Sequence, residues 1–187
     1  MMSSATRNAP VKAILVATTV GIILGSGGCA RVQKIVTKTP GATAALLPTK
    51  GHEVRGAVHF TQRDGAVVVT GHLTGLTPGA HGLHIHEKGN CTASDASSAG
   101  AHYNPYNAPH AGPRSEAHHG GDLGNIIANV DGDAEFTIEV VGITVGPVGN
   151  SVIGRSVVVH ADADDLVTQP AGNSGARLAC GLISRNP

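Results

Sequence analysis

The sequence predicts an all-β fold, and three observations carry the prediction. Apolar residues fall in short runs rich in Val and Ile, punctuated by 26 Gly and 10 Pro residues. Aromatic residues make up only 2% of the chain and Trp is absent, so the core has to be built from Val, Ile, Leu and Ala. No long helix is expected beyond the N-terminus. With 187 residues there is room for one ordinary domain and an N-terminal extension.

In chain order, Arg7 and Lys12 precede an apolar run at 13–24, and Gly25-Ser26-Gly27-Gly28 leads into Cys29. This is the pattern of a secretory signal over residues 1–28. It resembles a bacterial lipoprotein processing site, which would make Cys29 the lipidated first residue of a membrane-anchored protein. Ser26 stands where such sites usually carry leucine, so ordinary cleavage to a soluble periplasmic or secreted product is the competing reading. The run is too short for a comfortable span, whereas an acylated cysteine tethers a domain to a membrane surface. Residues 29–50 show no clear periodicity and suit a tether, with the domain over 51–187.

Taking Arg7 and Lys12 from the 13 basic residues leaves 11 against 13 acidic ones, a formal charge of −2 for the exported part. No basic field for nucleic acid exists. With Cys29 assigned to processing, Cys91 and Cys180 remain as a pair in an oxidising setting, which points to a disulfide. Zinc ligation is the rival reading, and the absence of a Cys-x-x-Cys pair speaks against it.

Strands are expected at 54–60 and 66–73, a hairpin joined across Arg63-Asp64-Gly65. Further strands follow at 81–87, at 124–130, at 134–140 after the Asp131-Gly132 turn, at 156–160 and at 177–183. Two long loops remain, 88–122 and 161–176, and long ordered loops on a compact β scaffold usually carry function. No internal repeat supports a propeller or solenoid. One antiparallel sandwich or barrel accounts for the pattern.

The chemistry is concentrated in histidine. In Gly82-Leu83-His84-Ile85-His86-Glu87 the two imidazoles stand two residues apart, so an extended backbone sends both from one face. A rigid strand thereby offers two convergent metal ligands, and His160, at the end of Ser156-Val157-Val158-Val159, can supply a third. His110, His119 and Asp122 add two imidazoles and a carboxylate, a set suited to zinc. His102 lies between the groups, and an imidazole that loses both ring protons can bind a metal through each nitrogen. Other histidines read as ordinary. His52, His59 and His72 each stand alone and are expected to be structural or solvated, and His81 to pack or hydrogen-bond beside the ligands. Spacing does not choose between His118 and His119.

Five segments in order resemble one family. They are His81-Gly82-Leu83-His84-Ile85-His86-Glu87, Ala99-Gly100-Ala101-His102-Tyr103-Asn104-Pro105, His119-Gly120-Gly121-Asp122-Leu123-Gly124-Asn125, Val158-Val159-His160-Ala161-Asp162-Ala163-Asp164-Asp165-Leu166 and Gly172-Asn173-Ser174-Gly175-Ala176-Arg177-Leu178-Ala179-Cys180-Gly181. Together they look like copper/zinc superoxide dismutase across about residues 54–183. The resemblance implies copper held by His84, His86, His102 and His160, and zinc by His102, His110, His119 and Asp122, one ion of each per subunit. His102 is then the bridging, catalytic imidazole, and the pair His118-His119 resolves in favour of His119. It further implies that Asp164 holds ring N–H groups of His84 and His110, that Cys91 and Cys180 pin the metal-binding loop, and that Arg177 attracts and orients superoxide.

The implied fold is an eight-stranded antiparallel Greek-key barrel with two long functional loops, acting as a monomer or homodimer. The implied reaction oxidises one superoxide to dioxygen and reduces a second, with two protons, to hydrogen peroxide. One departure concerns steering. Only Val167-Thr168-Gln169-Pro170-Ala171 separates Leu166 from Gly172, where eukaryotic relatives carry a longer, charge-rich loop, so steering charge has to come from elsewhere, with Lys88 a candidate. Two rival functions are a non-catalytic copper/zinc binding or storage module of the same fold, and a hydrolytic zinc enzyme with Glu87 as base. The complete ligand set with Arg177 disfavours the first, and the weakness of Glu87 as a base disfavours the second.

Overall fold

A computed structural model describes residues 39, 41–147 and 149–187; the expected signal, Cys29 and the tether up to residue 38 lie outside the described residues. Among the described residues eight strands form in chain order: β1 (Gly41–Pro48), β2 (Arg55–Arg63), β3 (Ala66–Thr74), β4 (Gly79–His86), β5 (Asp122–Ala128), β6 (Ala134–Val141), β7 (Ser156–His160) and β8 (Arg177–Arg185). A single 3-10 turn, Ser97–Ala99, is the helical element among the described residues.

The strands hydrogen-bond in the order β5-β4-β7-β8-β1-β2-β3-β6, every neighbouring pair antiparallel. The outer strands β5 and β6 lie against each other and nearly close the sheet into a barrel. Because β3 neighbours β2 and β6 while β4 neighbours β5 and β7, the connections at 75–78 and 142–155 cross the barrel ends. That is the Greek-key path the resemblance implied.

The tether expectation needs a correction at 41–48. These residues form β1, in the middle of the sheet, with Ala44 opposite Val58 on one side and Ile183 on the other. Ala42, Ala44 and Leu46 are buried in alternation while Leu47 is exposed, a strand pattern written mostly in alanine. Alanine has little β preference and weak apolar contrast, so the alternation does not stand out in the sequence. The folded domain therefore begins upstream of Gly51.

The interior is aliphatic as composition requires. Leu46, Phe60, Leu73, Leu83, Ile85, Leu123, Ile126 and Ile183 are all fully buried, each contributing about 1.5–3 kcal/mol relative to exposure. The strand that decides function is β4, which is buried on both faces. Leu83 and Ile85 enter the barrel core. His84 and His86, one residue out of step, point the other way, beneath the β4–β5 loop. On β7 the same division puts Val157 and Val159 in the core, while Val158 joins Cys180, Ala96 and Ala99 in a small cluster beneath that loop.

Candidate metal centre

The loop that covers β4 is stitched to it by backbone. Tyr103 N–H donates to the Ile85 carbonyl (2.8 Å), Ile85 N–H to the Gly121 carbonyl (2.8 Å) and Gly121 N–H to the Tyr103 carbonyl (2.8 Å). His102 is thereby paired across from His86. A side chain at Gly121 would overlap the Ile85 carbonyl oxygen, so this three-way approach requires glycine there. The Cys91–Cys180 disulfide, expected from cysteine counting and export, joins the loop to β8.

Two groups of four convergent donors result: His84, His86, His102 and His160; and His102, His110, His119 and Asp122. All seven residues are buried. The structure thus brings together every sequence-nominated ligand, and His102 belongs to both groups. Its ring centroid lies 4.0 Å from that of His84 and 5.6 Å from that of His119.

The polar accounting points to absent partners inside both groups. His84 Nδ1, His102 Nε2, His110 Nδ1 and His119 Nδ1 are buried without a hydrogen bond, a state that burial makes costly unless a ligand satisfies it. Asp122 Oδ1 lies 2.9, 3.0 and 3.3 Å from Nδ1 of His102, His110 and His119. Four donors around zinc at about 2.0 Å stand about 3.3 Å apart in a tetrahedron, so the second group fits that ion. The other carboxylate oxygen, Asp122 Oδ2, accepts the backbone N–H groups of Ala111 (3.2 Å) and His119 (2.9 Å), which fixes the direction Oδ1 faces. The first group is all imidazole, a donor set suited to copper.

The remaining ring nitrogens are held in place. Asp164 accepts His84 Nε2–H at Oδ2 (2.8 Å) and His110 Nε2–H at Oδ1 (2.9 Å), while Nδ1 of each ring stays without a hydrogen bond. His86 Nδ1–H donates to the Gly100 carbonyl (2.9 Å). His81, expected as a neighbour, places Nδ1 2.9 Å from the His160 carbonyl oxygen and Nε2 2.8 Å from the Thr77 carbonyl oxygen and 3.3 Å from its hydroxyl. His118 donates to the His119 carbonyl and stays outside the cluster (2.6 Å). His52, His59 and His72 are exposed.

Burial in the metal-free centre favours the neutral form of His84, His86, His119 and His160. Burial lowers the pKa of His84 to about 4, with Asp164 opposing, that of His86 to about 2 and that of His160 to about 3. Burial lowers His119 as well. Burial also acts to lower His110, but Asp164 and Asp122 outweigh it and raise its pKa. For Asp122, burial works upward and is overcome by the His102 bond and the Ala111 N–H, which bring it down to about 2.

Arg177 lines the depression that opens onto His86, His102 and His160. Its Nη1 donates to the Ala96 carbonyl (2.7 Å) and Nη2 to the Gly100 carbonyl (2.8 Å), so the guanidinium is fixed by loop backbone. Partial burial lowers its pKa and Asp95 acts in the opposite sense. Lys88, the candidate steering charge, is exposed and lies 3.9 Å from Glu87, which offsets its field.

Two residues that motif reading passed over also shape the centre. Asn125 brackets Asp164: its Oδ1 accepts the Asp164 N–H (2.7 Å) and its Nδ2 donates to the Asp164 carbonyl (2.8 Å). At Gly172, where φ is +64°, a Cβ would overlap the Asp164 carboxylate and crowd His110. Both stood inside quoted motifs, and only the fold shows what they touch.

Comparison with known proteins agrees with the geometry. The copper/zinc superoxide dismutase family model matches residues 54–183. The chain is 42% identical over 163 residues to a Brugia pahangi protein named extracellular superoxide dismutase [Cu-Zn], covering 82% of this chain and 80% of that one. It is 45% identical over 155 residues to superoxide dismutase [Cu-Zn] of Onchocerca volvulus, covering 76% and 96%. The chain belongs to the copper/zinc superoxide dismutase family.

Proposed function

We propose that this protein dismutates superoxide, two superoxide anions and two protons giving one dioxygen and one hydrogen peroxide. His84, His86, His102 and His160 would hold copper, and His102, His110, His119 and Asp122 would hold zinc. When bound, copper supplies the one-electron couple and zinc, redox-inert, supplies charge and order. The observation that carries the reading is His102, shared by both donor groups with Nδ1 on Asp122 and Nε2 buried without a partner. That Nε2 is the position from which a proton can be taken up and delivered to peroxide. Arg177 attracts the anion to the mouth of the same depression and orients it.

A storage module of this fold can lose ligands or the anion-binding cation, and here both are present. The test is superoxide decay followed with protein loaded with copper and zinc. With EDTA present to silence free copper, decay much faster than with the metal-free protein supports catalysis, and decay no faster than that favours storage.

Residues 1–28 are assigned to export, supported by Arg7 and Lys12 before the apolar run and by the extracellular designation of the Brugia relative. Cys29 is assigned as the lipidated residue of a bacterial-type membrane anchor, supported by the small residues ahead of it, with 29–40 as the tether. Mass analysis of the mature N-terminus distinguishes an acylated Cys29 from cleavage elsewhere.

A further inference from the structure

We infer that Gln169 is a positioning residue for zinc, acting through the backbone of His110. The inference rests on the zinc assignment above and deepens it. Gln169 Oε1 accepts the His110 N–H at 2.8 Å, and its Nε2 donates to the His110 carbonyl at 2.8 Å. One carboxamide therefore satisfies both backbone polar groups of a ligand 59 residues away, as a strand partner would. The ring of the same residue is already fixed, with Nε2 on Asp164 and Nδ1 facing Asp122. Gln169 fixes the plane from which that ring departs.

Gln169 can do this because its own turn is rigid. Asp165 Oδ1 accepts the N–H groups of Val167 (3.0 Å) and Thr168 (2.8 Å), while Oδ2 accepts from the Thr168 hydroxyl (2.6 Å) and Asn173 Nδ2 (3.1 Å). Asp165 N–H closes the turn onto the Gly172 carbonyl at 2.9 Å. Asp164, immediately before the turn, grips the His110 ring, and Gln169, within it, grips the His110 backbone. The short 161–176 loop thus acts as a clasp on one zinc ligand. Only an amide of this length fits the role: glutamate would set an acceptor against the His110 carbonyl, and leucine would leave both backbone groups unpaired.

The test uses the copper- and zinc-loaded protein and its Gln169→Leu and Gln169→Glu variants. Zinc release to a chromophoric chelator is timed, and the visible spectrum is recorded with Co(II) in place of zinc. Both variants are expected to release zinc about 10- to 100-fold faster, with altered Co(II) bands and copper retained. A Val67→Ala variant, altered in the distant core, serves as the control for general destabilisation. Release within twofold of the unaltered protein in a folded variant, or faster release with an unaltered Co(II) spectrum as in Val67→Ala, overturns the role of Gln169. Failure of the unaltered protein to bind zinc, or zinc release unaffected by His119→Ala, overturns the zinc assignment itself.

Discussion

His86 and Arg177 share one acceptor. The Gly100 carbonyl oxygen receives Nδ1–H of His86 at 2.9 Å and Nη2–H of Arg177 at 2.8 Å. A proposed copper donor and the cation that would attract superoxide are thus registered against each other by one loop peptide. The loop that carries this peptide is joined to β8 by Cys91–Cys180, and Arg177 stands at the start of the same strand.

Arg177→Ala should keep both metals and slow the reaction, because no ligand is touched while the fixed positive charge is lost. Electrostatic steering is an established property of this family, and such fields raise anion encounter rates by about 10- to 1000-fold. The loss should be largest at low salt and should shrink as salt screens the field. Arg177→Lys should recover only part of the rate, since an ammonium cannot reproduce the planar fork that reaches Ala96 and Gly100 together. Rate constants across ionic strength test this, and identical salt profiles for all three proteins would remove the guiding role.

Removing the disulfide should cost both stability and rate. Cys91 and Cys180 are 89 residues apart in sequence, so the cross-link closes a long loop, and loss of a native disulfide in a small exported domain costs about 2–5 kcal/mol. A paired Cys91→Ser, Cys180→Ser variant should therefore melt at lower temperature. It should also react more slowly with metals bound, because Ala96 and Gly100, the acceptors of Arg177, ride on the released loop. A variant with reduced melting temperature and full rate would show that the loop holds its geometry unaided.

His84 and His86 were legible because alternate positions of an extended backbone send both rings from one face, and the other ligands because they stand in segments that resemble one family. The strands at 54–60 through 177–183 were legible as short apolar runs bounded by turn residues such as Asp64-Gly65 and Asp131-Gly132. β1 was not, because Ala42 and Ala44 bury little area and alanine serves a tether equally well. Steering charge was not legible either, since whether Lys88 projects a field depends on Glu87 lying 3.9 Å away. The amides Asn125 and Gln169 were invisible for a different reason. Their roles are backbone contacts across 39 and 59 residues, which no local pattern encodes.

Ligand and support variants should separate cleanly. His160→Ala should reduce copper retention and leave zinc bound, whereas Asp122→Ala should release zinc and loosen the loop whose Ala111 and His119 amides it holds. Asp164→Ala touches neither metal directly but frees the rings of both His84 and His110, so both affinities should fall, by about 10- to 100-fold. Metal analysis after dialysis against graded chelator measures all three. Equal copper and zinc losses in the His160 and Asp122 variants would contradict the division into two donor groups.

Acid should destabilise the metal-free protein well before its carboxylates titrate. His84, His86 and His160 have folded pKa values of about 4, 2 and 3 against an ordinary 6.5, chiefly because burial penalises their charged forms. Below pH 6.5 the unfolded chain binds more protons at these rings than the folded one. Their contribution is therefore complete above 6.5 and is lost progressively as pH falls toward those depressed values. His119, lowered by burial, acts in the same sense, while His110 acts in the opposite one: its raised pKa gives stability that is complete below 6.5 and lost as pH rises above it toward the raised value, a partial offset from one ring against four. Asp122, lowered to about 2 from 3.8, adds a second loss at lower pH. Bound metals would occupy nitrogens of the same rings and favour the folded state, so the loaded protein should hold its stability to lower pH. Thermal melts of both forms from about pH 8 to about pH 4 make the comparison. A metal-free protein whose melting temperature stays flat from about pH 7 to about pH 4.5 would mean that the rings are protonated in place, with water reaching a cluster that the fold holds shut.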